Sequence, residues 1–225
     1  QAEDGIRDRD VTGVSDVCSS DLKARRLETG SALVVCEGEC TEPFYLKGLL
    51  HHFGINSASV EVLPGQSKSN AVAVVNRAYE RFEQMPRDRV FVLMDGEQDD
   101  LDQALKICKT PLQRGNLKKD IPEICIEPII STPCFEVWLL LHFRYCDQPF
   151  RAFNDVLSEL QVHLPDYSKA DRNVFLKVGA AEGLQRALLN VPSLRKASQA
   201  TGSASPSTDM DLLVEALRSI APRSL

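Results

Sequence analysis

Several features that mark other classes of protein are missing from this sequence of 225 residues. No apolar run approaches the roughly 18 residues that a membrane-spanning helix needs, and runs such as 137–141 are far shorter. There is no signal-peptide pattern. The seven cysteines are odd in number and contain no CxxC pair, which argues against a secreted disulfide framework and a zinc ribbon. We therefore expect a soluble, cytoplasmic protein without a membrane partner.

An excess of positive charge is also missing. The formal net charge of −6 argues against nucleic-acid binding by bulk electrostatics, because phosphate contacts need local Lys or Arg. Residues 1–21 hold six acidic and two basic side chains, so the remaining chain carries a net charge of only −2. No ladder of aromatic and basic residues for single strands is evident. The charge distribution thus leaves room only for local basic contacts.

Composition divides the chain into three parts. Residues 1–22 are polar and lack both helical and strand periodicity, so we interpret them as a non-native segment or a disordered tail. Residues 30–145 predict an α/β domain. Residues 146–225 predict a helical extension, packed on or beside that domain, because apolar residues there recur at helical spacing.

Strand and helix patterns alternate along the α/β part. Apolar or alternating runs predict four strands, at 33–36, 59–63, 90–94 and 124–130. Helical spacing predicts helices between them, the first capped by Thr41 and stopped by Gly54. Such alternation implies right-handed crossovers, so we predict a Rossmann-like, mainly parallel four-stranded sheet flanked by helices.

Two of the predicted strands end in carboxylates. One leads into Glu37, and another leads into Asp95, which is followed by Glu97 and Asp99. Parallel strands place their carboxyl ends at one edge, where open α/β sheets carry their sites. Clustered carboxylates repel one another and suit a hard ion such as Mg²⁺ or Mn²⁺. The alternative is that they are solvated acids at helix starts, and the spacing leaves both hypotheses open.

Three further residues are candidates for a supporting role at this edge. Gly38 would let the backbone or a substrate approach closely. Glu136 lies in an apolar helix, so it needs a partner, either as a structural anchor, which we favour, or facing the acidic site. The Ser131 hydroxyl has two candidate roles, phosphate binding or capping of the next helix, and capping is favoured. His142 is predicted to be a packing residue.

Basic residues that could contact phosphate are scattered through the chain. Each is equally compatible with an ordinary solvated position. The candidates are Lys68, Lys169 and Arg172, with Lys177 and Arg186 after them.

Several blocks of this sequence resemble the RloB-like family. They are the Val-Cys-Glu-Gly-Glu-Cys-Thr-Glu-Pro block at 35–43, the acidic strand end at Asp95, and the Ser-Thr-Pro-Cys-Phe-Glu-Val-Trp-Leu-Leu-Leu-His-Phe block at 131–143. Shorter blocks at 164–169 and 206–208 also match. The resemblance runs from about residue 31 to 217, and the part of the long block from its proline onward is its most specific piece.

The resemblance implies a Toprim-type domain, the α/β metal-binding module of topoisomerases, primases and several nucleases. In that module a strand-end Glu is the general acid or base and a DxD motif holds the divalent ion. By this resemblance, Glu37 corresponds to the general acid or base, and Asp95 and Glu97 correspond to the metal-binding DxD motif. This chain has Glu97 where the pattern has a second Asp, while Asp99 matches the third acid of the longer form.

Two functional hypotheses follow from the acids and the resemblance. The first is a divalent-metal-dependent nuclease that cleaves DNA or RNA and serves bacterial phage defence or is linked to restriction loci. The second is a catalytically silent metal- or nucleic-acid-binding regulatory module that works with a defence partner protein such as an ATPase. Nucleotidyl or phosphoryl transfer is a third possibility.

Overall fold

The computed structural model describes residues 30–67, 69–112 and 123–222. The predicted tail at 1–22 and the candidate base Lys68 lie outside these ranges. The first part of the fold contains β1 (Ala32–Val35), α1 (Thr41–His52), β2 (Val60–Leu63), α2 (Ala71–Gln84), β3 (Arg89–Asp95), α3 (Leu101–Cys108), β4 (Ile126–Thr132) and α4 (Glu136–Leu141). The second part contains α5 (Phe153–His163), α6 (Val174–Lys177), α7 (Ala180–Thr201), β5 (Ser207–Thr208) and α8 (Met210–Ile220).

The strands form one sheet in the order β2-β1-β3-β4-β5. The first four are parallel, as predicted, and β5 runs antiparallel to β4. The predicted count of four strands is therefore wrong by one. The missed strand has only two residues, Ser207 and Thr208, which carry no strand pattern.

Alternation along β1 divides the core into two layers. Ala32, Val34 and Cys36 pack on one face of the sheet with α1 and the C-terminal helices. Leu33 and Val35 pack on the other face with α2 and α3. Both faces of the sheet are covered, as expected for parallel strands with continuous apolar runs.

The C-terminal helices share the apolar core of the α1 face. Leu213 and Leu217 of α8 are fully buried in the same cluster as Leu46 of α1. The boundary near residue 145 between a domain and its extension stays a prediction. In the described ranges, no helix has both the length and the apolar character needed to cross a membrane.

His142 is a buried packing residue, as predicted. Its Nδ1 lies 2.9 Å from the Trp138 carbonyl, which can only accept, so Nδ1 carries the proton. Nε2 then accepts from the Tyr45 hydroxyl at 3.0 Å. Burial lowers the pKa of His142 to about 4, so the imidazole is neutral at physiological pH.

Candidate functional site

Strand register brings Glu37 and Asp95 together. Val35 of β1 lies opposite Val92 of β3, so Glu37 is two residues and Asp95 three residues beyond the same level of the sheet. Both therefore lie at the carboxyl edge, as the strand pattern predicts. The Asp95 backbone N–H donates to Glu37 Oε2 at 3.0 Å, which fixes the direction of the Glu37 side chain.

A cavity of about 380 Å³ opens at this edge. Five carboxylates line it: Glu37, Glu39, Glu42, Asp95 and Glu136. The other lining residues are Gly38, Cys40, Thr41, Gln66, Ser67, Ser69, Phe135 and Lys169. Carboxylate oxygen is thus the main chemical group of the cavity.

Glu37 is held by two donors and has an altered proton affinity. Besides the Asp95 N–H, the Gln98 side-chain amide donates to Glu37 Oε1. Burial raises the pKa of Glu37, repulsion from Asp100 adds to this, and the Asp95 N–H and Lys169 oppose it. A raised pKa brings a carboxyl group closer to neutral pH, where it can both accept and release a proton.

Asp95 is more strongly perturbed. Its Oδ1 accepts from the Phe135 backbone N–H, just before α4, at 3.0 Å. Burial, followed by repulsion from Glu37 and Glu136, raises the pKa of Asp95 to about 8. Without a cation, these carboxylates therefore cannot all be ionised at neutral pH.

Glu42 is a site residue that the sequence reasoning missed. It is buried in the first turn of α1 and accepts from the Gly38 N–H at 2.5 Å. Burial and repulsion from Asp95 raise its pKa well above the usual range. A signal was present, because Glu42 precedes Tyr45, Leu46 and Leu49 by three, four and seven positions and so lies on the apolar stripe of the helix.

Glu136 combines the two roles considered for it. It is buried, and the Tyr167 hydroxyl donates to its Oε1 at 2.7 Å, which is the anchoring contact that the sequence favours. It also lines the acidic cavity. Lys169 Nζ lies 3.9 Å from the same oxygen, and the Thr41 hydroxyl donates to the Lys169 carbonyl at 3.1 Å. Thr41 thus tethers the Lys169 segment instead of capping α1.

Four predicted site residues lie outside the acidic cavity. Glu97 and Asp99 are exposed and do not line it. Ser131 is buried and hydrogen bonded to Thr208 Oγ1 at 2.8 Å, so it ties β4 to β5 instead of capping α4. Arg172 lines a different cavity.

The two lower-ranked bases have other partners. Lys177 pairs with Asp166 and Asp171. Arg186 donates to the His142 carbonyl at 2.7 Å. Of the bases proposed from sequence, Lys169 is the one among the described residues that lines the acidic cavity.

Gly65 determines how closely the loop after β2 approaches Glu37. Its N–H donates to the Gly38 carbonyl at 2.9 Å, and a Cβ at this position would lie 1.7 Å from the Glu37 carbonyl oxygen. We expect Gly65→Ala to displace the Glu37 turn and to lower the free energy of unfolding by about 2–4 kcal/mol. Denaturant unfolding measures this, with Gly30→Ala as the control, since the nearest atom to a Cβ there is 3.8 Å away. Equal stability of the two variants would contradict the geometry.

The side chains of the cavity suit a divalent ion that is held by few protein ligands. Within residues 30–67, 69–112 and 123–222, no group of three or more His, Cys, Asp or Glu is arranged to hold a metal. Mg²⁺, however, typically takes one or two carboxylates and completes its coordination with water and substrate phosphate. The oxygen donors of Asp95 and its neighbours fit that mode of binding.

The fold and the cavity define an α/β protein whose mostly parallel sheet carries a carboxylate site at its carboxyl edge. The family model described as RloB-like protein matches residues 32–217, and the chain belongs to this family. The resemblance predicted from the sequence blocks is therefore confirmed. No curated protein and no solved structure matched the chain.

Proposed function

We propose that this protein is a divalent-metal-dependent, Toprim-like nuclease that cleaves phosphodiester bonds of nucleic acid. The observation that carries the proposal is the cavity in which Glu37, Glu42, Asp95 and Glu136 converge beside Lys169. Perturbed carboxylates in a cleft at the carboxyl edge of a parallel sheet are typical of catalytic sites.

The proposed roles follow from the contacts of each side chain. Asp95 would hold Mg²⁺ or Mn²⁺. Glu97 and Asp99, the further ligands predicted from sequence, do not line the cavity, so the proposal gives Asp95 the main part in binding the ion. A bound divalent ion supplies charge neutralisation at the phosphate and lowers the pKa of a coordinated water. Glu37, with its raised pKa and two hydrogen-bond donors, would transfer a proton. Lys169 Nζ, whose side chain is 60% exposed, would bind phosphate at the rim of the cavity.

A cleavage assay tests the proposal. Labelled DNA and RNA, single- and double-stranded, are incubated with the protein in Mn²⁺, in Mg²⁺ and in EDTA. We expect fragments from at least one nucleic acid with metal and none with EDTA. Product formation that is equal in EDTA would contradict the metal requirement, and no cleavage of any substrate would remove the nuclease assignment.

The exposed position of Glu97 leads to a graded prediction. Because Glu97 does not line the cavity, we expect Glu97→Gln to reduce the cleavage rate less than about tenfold, whereas removal of a group that stabilises charge directly costs about 10²–10³. Rates measured side by side for Glu97→Gln and Asp95→Asn decide the point. Equal losses would place Glu97 in the metal site.

A second candidate function is a catalytically silent module that binds metal or nucleic acid and regulates a defence partner such as an ATPase. It is favoured by the lack of a three-residue ligand set in the described part of the chain. Calorimetric Mg²⁺ binding without cleavage of any nucleic acid, alone or with the products of neighbouring genes, would support it. The proposed role in phage defence rests on the family resemblance, and the gene neighbourhood tests it.

A further inference from the structure

A second cavity, of about 660 Å³, lies beside the acidic one, between α1 and the segment that leads into α6. Its lining is aromatic and basic. Its lining includes Phe44, Lys47, His51, His52, Arg172 and Phe175. A volume in the range of about 300–1,000 Å³ is typical of a ligand pocket.

The charge of this lining is opposite to that of the acidic cavity. It contains Lys47 and Arg172 together with two histidines, and no Asp or Glu is among its described lining residues. Lys47 and Arg172 have no ion-pair partner within the described ranges. The nearby acids Asp166 and Asp171 are both paired with Lys177. The cavity therefore presents cations to an anionic ligand.

Aromatic rings are combined with these cations. The Arg172 guanidinium carbon lies 5.9 Å from the centre of the half-buried Phe44 ring, and the His52 and Phe175 ring centres are 5.8 Å apart. Gly48 makes room for Phe175, since a Cβ on Gly48 would lie 2.5 Å from Phe175 Cβ. Aromatic faces beside basic groups are the usual means of binding single strands, because every base can stack on an aromatic ring.

The two cavities are connected by shared elements. Thr41 and Glu42 at the start of α1 line the acidic cavity, and later residues of α1 line the second one. The segment after α5 also lines both cavities, since Lys169 lines the acidic cavity and Arg172 lines the second one. Helix α1 has twelve residues and so extends about 18 Å, which a strand of a few nucleotides can span.

We propose that the aromatic and basic cavity along α1 binds the flanking nucleotides of a single-stranded nucleic acid whose phosphodiester lies in the acidic cavity. This rests on the proposed function and names the substrate class and its path. The half-buried Phe44 ring provides a surface for a base, with Phe175 packed beneath it in the core, and Lys47 and Arg172 contact phosphates. A third cavity, which reaches β2, shares Lys47, Phe44 and His51 with the second one and so extends the same surface.

The test measures binding without catalysis. Fluorescence anisotropy with a labelled single strand of about 12 nucleotides, as DNA and as RNA, is recorded in EDTA so that no cleavage can occur. We expect Lys47→Glu, Arg172→Glu and Phe44→Leu each to weaken binding by about tenfold, and the two charge variants to reduce the salt dependence as well. The matched control is Lys106→Glu on α3, an exposed lysine on the opposite face of the sheet, for which we expect less than about a twofold change.

Each outcome decides the proposal. No binding of any single strand by the wild-type protein, or equal effects of Lys47→Glu and Lys106→Glu, would overturn it. Tighter binding of poly-glutamate than of the oligonucleotide would assign the surface to an acidic protein partner instead and overturn it too. If the variants weaken binding as expected but the protein cleaves no nucleic acid with Mn²⁺, the single-strand binding surface is supported. Only the nuclease assignment is then wrong.

Discussion

Replacing Glu37 by Gln should reduce the rate of phosphodiester cleavage by about 10²–10⁴, the usual contribution of a general acid or base. Gln keeps the length of the side chain and an oxygen that can accept the Asp95 N–H. Its new NH₂ group cannot accept from the Gln98 amide, but Gln98 can turn its amide so that the oxygen accepts instead, and the carboxyl edge should keep its shape. What it loses is the ability to exchange a proton. The measurement is the initial rate of oligonucleotide cleavage in Mn²⁺, with the metal affinity determined in parallel.

The control for this variant is Glu83→Gln, an equal chemical change at an exposed position of α2. It should cleave at the wild-type rate. We expect Glu37→Gln to lose cleavage rate but to keep the thermal stability and the Mn²⁺ affinity of the wild type. Wild-type rates in Glu37→Gln would remove Glu37 from the chemistry, and a loss of metal binding that parallels the loss of rate would make it a ligand.

Replacing Asp95 by Asn should abolish metal-dependent cleavage and, at the same time, stabilise the metal-free protein at alkaline pH. The folded-state pKa of Asp95 is about 8, far above the roughly 3.9 of an unfolded chain, because the side chain is buried among other carboxylates. The folded protein therefore binds the proton more tightly. The contribution of Asp95 to stability is therefore fully present below about pH 4, falls as the pH rises, and is lost once the pH has passed about 8.

Asn carries no charge, so this loss of stability does not occur in the variant. In EDTA near pH 9 we expect Asp95→Asn to melt about 5–15 °C above the wild type, and the difference to disappear toward about pH 4. Thermal unfolding between these limits measures it. Asp102→Asn on the exposed side of α3 is the control and should match the wild type. A wild type that is at least as stable as Asp95→Asn at alkaline pH would contradict the crowding of carboxylates at this edge.

The parts of the fold that are encoded locally could be predicted from the sequence. The apolar runs of β1 and β3 lead into Glu37 and Asp95, and parallel strands align their carboxyl ends. The sequence pattern therefore predicts that the two acids lie close together. The helices α1 and α2 also follow from apolar spacing with Gly54 and Asn70 at their ends. The Asn70 side chain accepts from the Ala73 N–H at 2.9 Å, as a helix cap should.

What could not be predicted depends on contacts between distant parts of the chain. Strand β5 forms because Ser207 and Thr208 pair with the edge of β4. Two polar residues alone show no strand periodicity. Asp100 directly precedes α3 but does not cap that helix with its side chain; its carboxylate accepts from the Ala71 and Val72 N–H groups at the start of α2. Tertiary packing, not local sequence, selects such partners.

The aromatic and basic cavity illustrates the same limit. The sequence shows no ladder of alternating aromatic and basic residues, because Phe44 and Lys47 come from α1 whereas Arg172 and Phe175 come from a segment far along the chain. The fold assembles them on one surface. Glu42 differs, since its place on the apolar stripe of α1 is visible in the sequence once a buried acid is considered.

The central claim is that the cavity between Glu37 and Asp95 binds a divalent ion, and titration calorimetry with Mn²⁺ tests it most directly. We expect one ion to bind each wild-type chain, binding at least about tenfold weaker in Asp95→Asn, and unchanged binding in Asp102→Asn. Absence of Mn²⁺ binding by the wild type, or equal affinity in the wild type and Asp95→Asn, would contradict the claim.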